Sequence, residues 1–258
     1  MAEFDDRGVV IEEVANPELS TPVMLEGLPG VGYVGKLAVE HLLEEAEDSL
    51  VRRIHSEHLP PRVTIDESGV ATLACIEVHH VSIDGVDLLL VAGDQQSQTP
   101  VGYYRLTEAI LDVAEAFGVQ ELYALGGVPT GQFTDDYHVL GAVSSESMVD
   151  DLEAIGVEFR ANEPAGGIVG VSGLLLGLGG RRGLGVSCLM GETSGYLVDP
   201  KSAKEVLRVL ENAIGLSVDF TELETRAEEM EAVVRRIQEL HETQYETQPG
   251  DENLRYID

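Results

Sequence analysis

Lysine is nearly absent from this 258-residue chain: only Lys36, Lys201 and Lys204 occur. Tryptophan is missing altogether, aromatic residues make up 5%, and there are two cysteines. Sixteen Lys+Arg stand against 47 Asp+Glu, a formal net charge of −31. Without positive charge there is little to hold a phosphate backbone or an anionic lipid surface, so free nucleic acid and membranes are excluded as partners. Cys75 and Cys188 sit in apolar runs and read as small core residues rather than a disulfide framework. No CxxC or CxxxH spacing marks a zinc site, and no metal ligand is assigned. No apolar run is long enough to span a bilayer; the longest, Gly166 to Gly180, covers about fifteen glycine-interrupted residues. The N-terminus, MAEFDDRGVVIEE, lacks the basic-then-apolar order of a signal peptide, and the expected location is the cytoplasm.

What is present is a periodic apolar pattern, with 43% hydrophobic residues, so the charge does not make the chain disordered. Buried strands are expected at Thr21–Leu28, Asp87–Ala92, Glu121–Leu125 and Gly185–Met190, with further strands at Val51–Glu57, Ala71–Ile83 and Val139–Val143. Helical spacing runs over Tyr33–Glu47, Thr99–Phe117, Ser145–Ile155 and Ser202–Ile214, and Gly166–Leu178 fits either a helix or a strand. Strands alternating with helices predict an α/β fold: a mostly parallel or mixed sheet flanked by helices. From Thr221 to Gln244 the apolar residues Leu223, Ala227, Met230, Val234, Ile237 and Leu240 form one narrow stripe. The expected organisation is an α/β domain over 1–219, an amphipathic helix over 220–245 and a flexible tail over 246–258.

The run Gly27-Leu28-Pro29-Gly30-Val31-Gly32-Tyr33-Val34-Gly35-Lys36 follows a strand and opens a helix. Gly30, Gly32 and Gly35 fit the dinucleotide turn GxGxxG, and Gly30, Gly35 and Lys36 fit most of a P-loop. Both matches are partial: Leu37 replaces the Mg²⁺-binding Ser or Thr, and only Glu57 stands near the ribose-binding position. The alternative is a tight turn in which glycines permit close backbone approach. Further polar clusters follow apolar runs at Gly93–Ser97, Gly126–Gly131 and Gly191–Tyr196, so four glycine-bearing turns are expected at one sheet edge, where open α/β folds bind ligands. A pocket there would draw on Gly30, Gly32, Gly35, Asp94 and Glu192. His79 and His80 lie in an alternating strand and face opposite ways, which rules out one shared metal. No GxSxG elbow or nucleophile–base pair is present; no catalytic residue and no cofactor are assigned.

Taken in series, GLPGVGYVGKLAVEHL, VAGDQQSQTP, LYALGGVPTG, GGIVGVSGLLLGLGGRRG and CLMGETSGYLVDPKSA resemble the PAC2 family of archaeal proteasome assembly chaperones, over roughly Pro22 to Asp219 and into the C-terminal helix. The resemblance implies a nucleoside-phosphorylase-like α/β fold without established catalytic residues, homo-oligomers of three to five subunits, and 20S proteasome α subunits as partners. It also implies a chaperone or α-ring adaptor rather than an enzyme. In some members a hydrophobic-Tyr-X tail docks between α subunits through its terminal carboxylate, and here the matching residues are Leu254, Tyr256, Ile257 and Asp258. The tyrosine is displaced: Ile257 is penultimate and Tyr256 lies one place early. The same tip would also suit folding back onto its own oligomer. A rival reading is a small-molecule or nucleotide binder, or weak enzyme, using the glycine-rich strand-end pocket.

Acid-rich, lysine-poor composition fits concentrated salt, where screening cuts the reach of self-repulsion to a few ångströms. The expected setting is a halophile's cytosol. Thermal melts from millimolar to molar KCl are expected to show a rising Tm; a flat or falling Tm contradicts this.

Overall fold

The computed structural model describes residues 4–132 and 136–246. Nine strands form one mixed sheet in the order β1-β3-β6-β7-β2-β8-β11-β9-β10. These are β1 (Val9–Glu13), β2 (Val23–Glu26), β3 (Ser49–Ser56), β6 (Ile76–Ile83), β7 (Val86–Gly93), β8 (Glu121–Pro129), β9 (Val139–Val143), β10 (Val157–Glu158) and β11 (Gly185–Thr193). The centre, β7-β2-β8-β11, is parallel; β1, β3 and β6 join it antiparallel at one side. A separate ribbon pairs β4 (Val63–Ile65) with β5 (Ala71–Leu73).

The parallel centre is buried on both faces, which is why its strands read as continuous apolar runs. In β7, Leu88 and Leu90 point to one core and Leu89 and Val91 to the other, all fully buried. One core is closed by α2 (Pro100–Ala116) and α4 (Val171–Leu174), the latter continued by a π-helical stretch over Leu175–Gly179. The other is closed by α1 (Val34–Glu45) and α5 (Pro200–Ile214), with α3 (Val149–Glu153) at the edge.

Side chains cap the starts of α2 and α5. The Thr99 side chain accepts the Gly102 N–H at 3.1 Å, and Asp199 accepts that of Ser202 at 3.1 Å. Gly215 ends α5 at φ 73°. Asp84 and Gly85, at φ 51° and 82°, form the two-residue turn of the β6–β7 hairpin.

Helix α6 (Thr221–Glu246) buries Leu223 and Ala227 beside α5. Lys204 bonds Glu224 at 2.5 Å, Lys201 pairs with Glu231, and Arg226 reaches Glu44 on α1 at 2.9 Å. These pairs run α6 antiparallel to α5, so by Glu231 it is level with the start of α5.

Several expectations need correction. Ala71–Ile83 is not one strand: it breaks at Ala74-Cys75 into β5 and β6. Gly126-Gly127 and Gly191–Thr193 are not turns but lie within the C-terminal parts of β8 and β11, where Gly127 faces Gly191. Cys75 is half-buried beside a cavity rather than in the core, whereas Cys188 is fully buried. Strands β1, β4 and β10 are absent from the sequence reading. The ambiguous Gly166–Leu178 segment is loop and then helix.

Candidate functional site

The glycine run between β2 and α1 is shaped by backbone packing. A Cβ on Gly35 would lie 2.0 Å from the Leu125 carbonyl oxygen, and one on Gly127 would lie 2.4 Å from that of Val31. No side chain fits at either place, so α1 rests directly on β8. Gly32 (φ 62°) packs under Thr193, and its carbonyl accepts the Asp199 N–H at 2.9 Å. Lys36, the P-loop-like lysine, is bound by Asp94 at 2.5 Å and Glu40 at 2.9 Å. Burial works against its charge, yet the two carboxylates outweigh that and hold its pKa above the ordinary lysine value.

The C-terminal edge of the sheet opens into a cleft of about 1160 Å³. Its floor is formed by Leu28, Gly126, Val128, Cys188 and Met190, and one wall by the 163–172 segment. Gln96 staples it, donating to the Pro29 carbonyl at 2.6 Å and accepting the Val171 N–H at 3.3 Å. Glu192 lies on the rim and pairs with Arg160 at 2.7 Å; Arg160 also holds Glu158 and Glu163. These carboxylates, Glu192 foremost, raise the Arg160 pKa.

Beneath the cleft sits Glu26, fully buried in β2 and without a cationic partner among the described residues. It accepts the Leu28 N–H at 3.0 Å and the Ser172 hydroxyl at 2.8 Å; Ser172 itself lines the cleft. Burial raises its carboxyl pKa from 4.5 to about 7, against the lowering effect of those two hydrogen bonds. Burial likewise pushes up the thiol of Cys188, with Glu26 adding to the shift, so that thiol stays protonated.

Of the residues expected in one pocket, only Gly30 and Glu192 line this cleft. Gly32 and Gly35 are buried packing positions, and Asp94 lies on a second cavity with Lys36, Glu77 and His79. Leu254, Tyr256, Ile257 and Asp258 lie outside the described residues. The sequence reading missed Glu26, Ser172, Gln96 and Arg160. Two signals were available: Glu26 is the one charge in the apolar run PVMLEGL, and Ser172 is the one polar side chain within Gly166–Gly180. Among the described residues no cluster of three or more His, Cys, Asp or Glu can hold a metal ion, and no helix is long and apolar enough to cross a membrane.

The comparisons with known proteins agree with this architecture. Residues 24–238 match the model of the PAC2 family. The chain belongs to the PAC2 family. It is 34% identical over 243 residues to an uncharacterized protein of Methanocaldococcus jannaschii, covering 93% of each. The crystal structure of Pyrococcus furiosus PbaB, an archaeal proteasome activator, superposes with a TM-score of 0.83 at 34% identity, over 90% of this chain and 99% of that one. Pyrococcus furiosus PbaA, an archaeal homolog of proteasome-assembly chaperone, gives 0.72 at 29% identity, over 92% and 94%.

Glu26 yields a pH prediction for this PAC2 protein. The unfolded chain releases this proton near pH 4.5 and the folded chain near 7. The contribution to stability is therefore full below pH 4.5 and lost as pH rises to 7. Glu26→Gln cannot ionise, so its stability relative to wild type should climb across that window by on the order of 3 kcal/mol. Paired urea melts from pH 4.5 to 8 in constant molar salt measure this; a constant difference contradicts it.

Proposed function

We propose that this chain is a non-enzymatic, homo-oligomeric partner of the 20S proteasome α-ring, acting as an assembly chaperone or as an adaptor on the mature particle. The observation that carries the reading is the near-full-length likeness to PbaB, 34% identical with a TM-score of 0.83. The site geometry supports it. The glycine run is consumed by packing, and Lys36 is engaged by two carboxylates rather than free for a phosphate. Helix α6 supports delivery of a tail: past Glu231 it continues to Glu246, fifteen more residues or roughly 22 Å of helix. Leu254, Tyr256, Ile257 and Asp258 are the proposed docking tip, and several copies on one oligomer supply avidity that a single tip lacks. The acid-rich composition supports a halophile's cytosol as the setting.

A second reading rests on one observation: the Ser172 hydroxyl lines the cleft and is backed by the buried Glu26. That arrangement supports a small-molecule or nucleotide site, with Gly30 and Glu192 at its rim.

Co-sedimentation with the 20S proteasome in molar salt tests the first reading. Full-length protein is expected to bind. Loss of binding on removing residues 254–258 assigns the contact to the tail, and retained binding assigns it to the folded body. Absence of binding by the full-length chain overturns the proposal.

A further inference from the structure

The segment Gly170-Val171-Ser172-Gly173 is one residue short of a GxSxG elbow, yet it folds as a sharp loop-to-helix turn. Gly170 enters the turn at φ 89°, and a Cβ on Gly173 would lie 2.1 Å from the Ile168 carbonyl oxygen. No side chain fits at 173, and the backbone at 170 favours glycine. Between them stands Ser172, half-buried, with its side chain on the wall of the 1160 Å³ cleft. Gln96 holds the turn through the Val171 N–H. Glu26, 146 residues away in sequence, accepts the Ser172 hydroxyl at 2.8 Å. A hydroxyl facing a cleft with a carboxylate in hydrogen-bond reach behind it is the geometry of a nucleophile with its base.

A tie between β2 and the cleft wall needs only a neutral acceptor, whereas an acid at full burial costs stability and adds a proton that can be removed. The strand neighbours of Glu26, Val91 on β7 and Ala124 on β8, do not titrate. The titratable group facing it from β11 is Cys188, whose thiol burial keeps protonated; Tyr103 of α2 lines the same cleft. The lining also selects a substrate. Its charged side chains are Arg160, Glu163 and Glu192, and Arg160 is bound by both carboxylates, so no free cation awaits an anion. Leu28, Val128, Ile168 and Met190 offer apolar surface beside Ser172.

We propose that Ser172 is a nucleophile and Glu26 its general base, and that the cleft takes an uncharged ester with an apolar acyl group. This rests on the small-molecule reading of the cleft and names its substrate class. The Ser172 hydroxyl proton passes to Glu26 as Oγ bonds to the acyl carbon. The ester C–O bond breaks, and Glu26 passes the proton to the leaving oxygen. The sum is transfer of the acyl group to Ser172 with release of an alcohol.

Incubation of the full chain with 4-nitrophenyl butyrate in molar KCl tests this, with the adduct located by peptide mass spectrometry and folding verified by circular dichroism. A butyryl group on Ser172 is expected, absent from the matching peptide of Ser172→Ala. Its rate of formation should rise through the ionisation of Glu26 near pH 7. Glu26→Gln should slow it about a hundredfold and remove that step in the pH profile. No adduct on Ser172 overturns the proposal, as does an adduct whose rate and pH profile Glu26→Gln leaves unchanged. Should Glu26→Gln not fold, the wild-type pH profile decides: a rate without the step near pH 7 overturns the proposal. The unreactive amide 4-nitrobutyranilide scores the small-molecule reading separately. A saturable thermal shift with the amide but no adduct sinks the nucleophile and keeps the binding site; neither shift nor adduct sinks both.

Discussion

The direct contact of helix α1 with strand β8, with no side chain between them, sets the geometry of the whole C-terminal edge of the sheet. Gly35 lies against the Leu125 carbonyl and Gly127 against that of Val31. This close seat drops the start of α1 onto the strand ends and lets Asp199 bond to Gly32, which in turn fixes the start of α5. It also aims Lys36 sideways at Asp94 rather than toward an anion at the helix start. A pattern that resembles a phosphate loop is here a packing device, because the same small residue serves both purposes.

The surface follows a different constraint. With 47 acidic and 16 basic side chains, several cations each serve two or more carboxylates. Arg160 holds Glu158, Glu163 and Glu192; Arg182 holds Asp112 and Glu115; Arg226 holds Glu44 and Glu222. Such pairs are weak singly when exposed, and their role is to tie elements distant in sequence where carboxylates crowd. The remaining excess of negative charge repels, which favours concentrated salt and makes any self-contact depend on apolar area.

Much of this was legible in the sequence because local rules and tertiary demands coincide. The apolar run of β7 and the helix start at Thr99 each state one conformation. The failures have physical causes. Strand β1 is half acidic because its outer positions face water at the sheet edge, so its alternation is faint. Gly126-Gly127 reads as a turn, yet it lies within β8, and Gly127 has no room for a Cβ against the Val31 carbonyl. Two of the five expected pocket residues, Gly30 and Glu192, come together at the cleft. Asp94 follows β7 and ends on a separate cavity, because a charge's position along the chain does not tell which face of the sheet it leaves from. Glu26 was hidden by the usual rule that acids lie outside.

The central claim is that the glycine-rich edge seats a helix rather than a phosphate or nucleotide. Thermal-shift titration in molar salt with inorganic phosphate, ATP and nucleosides at millimolar concentration tests it most directly. No saturable shift is expected for wild type. A saturable shift that disappears in Lys36→Ala would contradict the account, and one that disappears in Ser172→Ala would also make the cleft a ligand site.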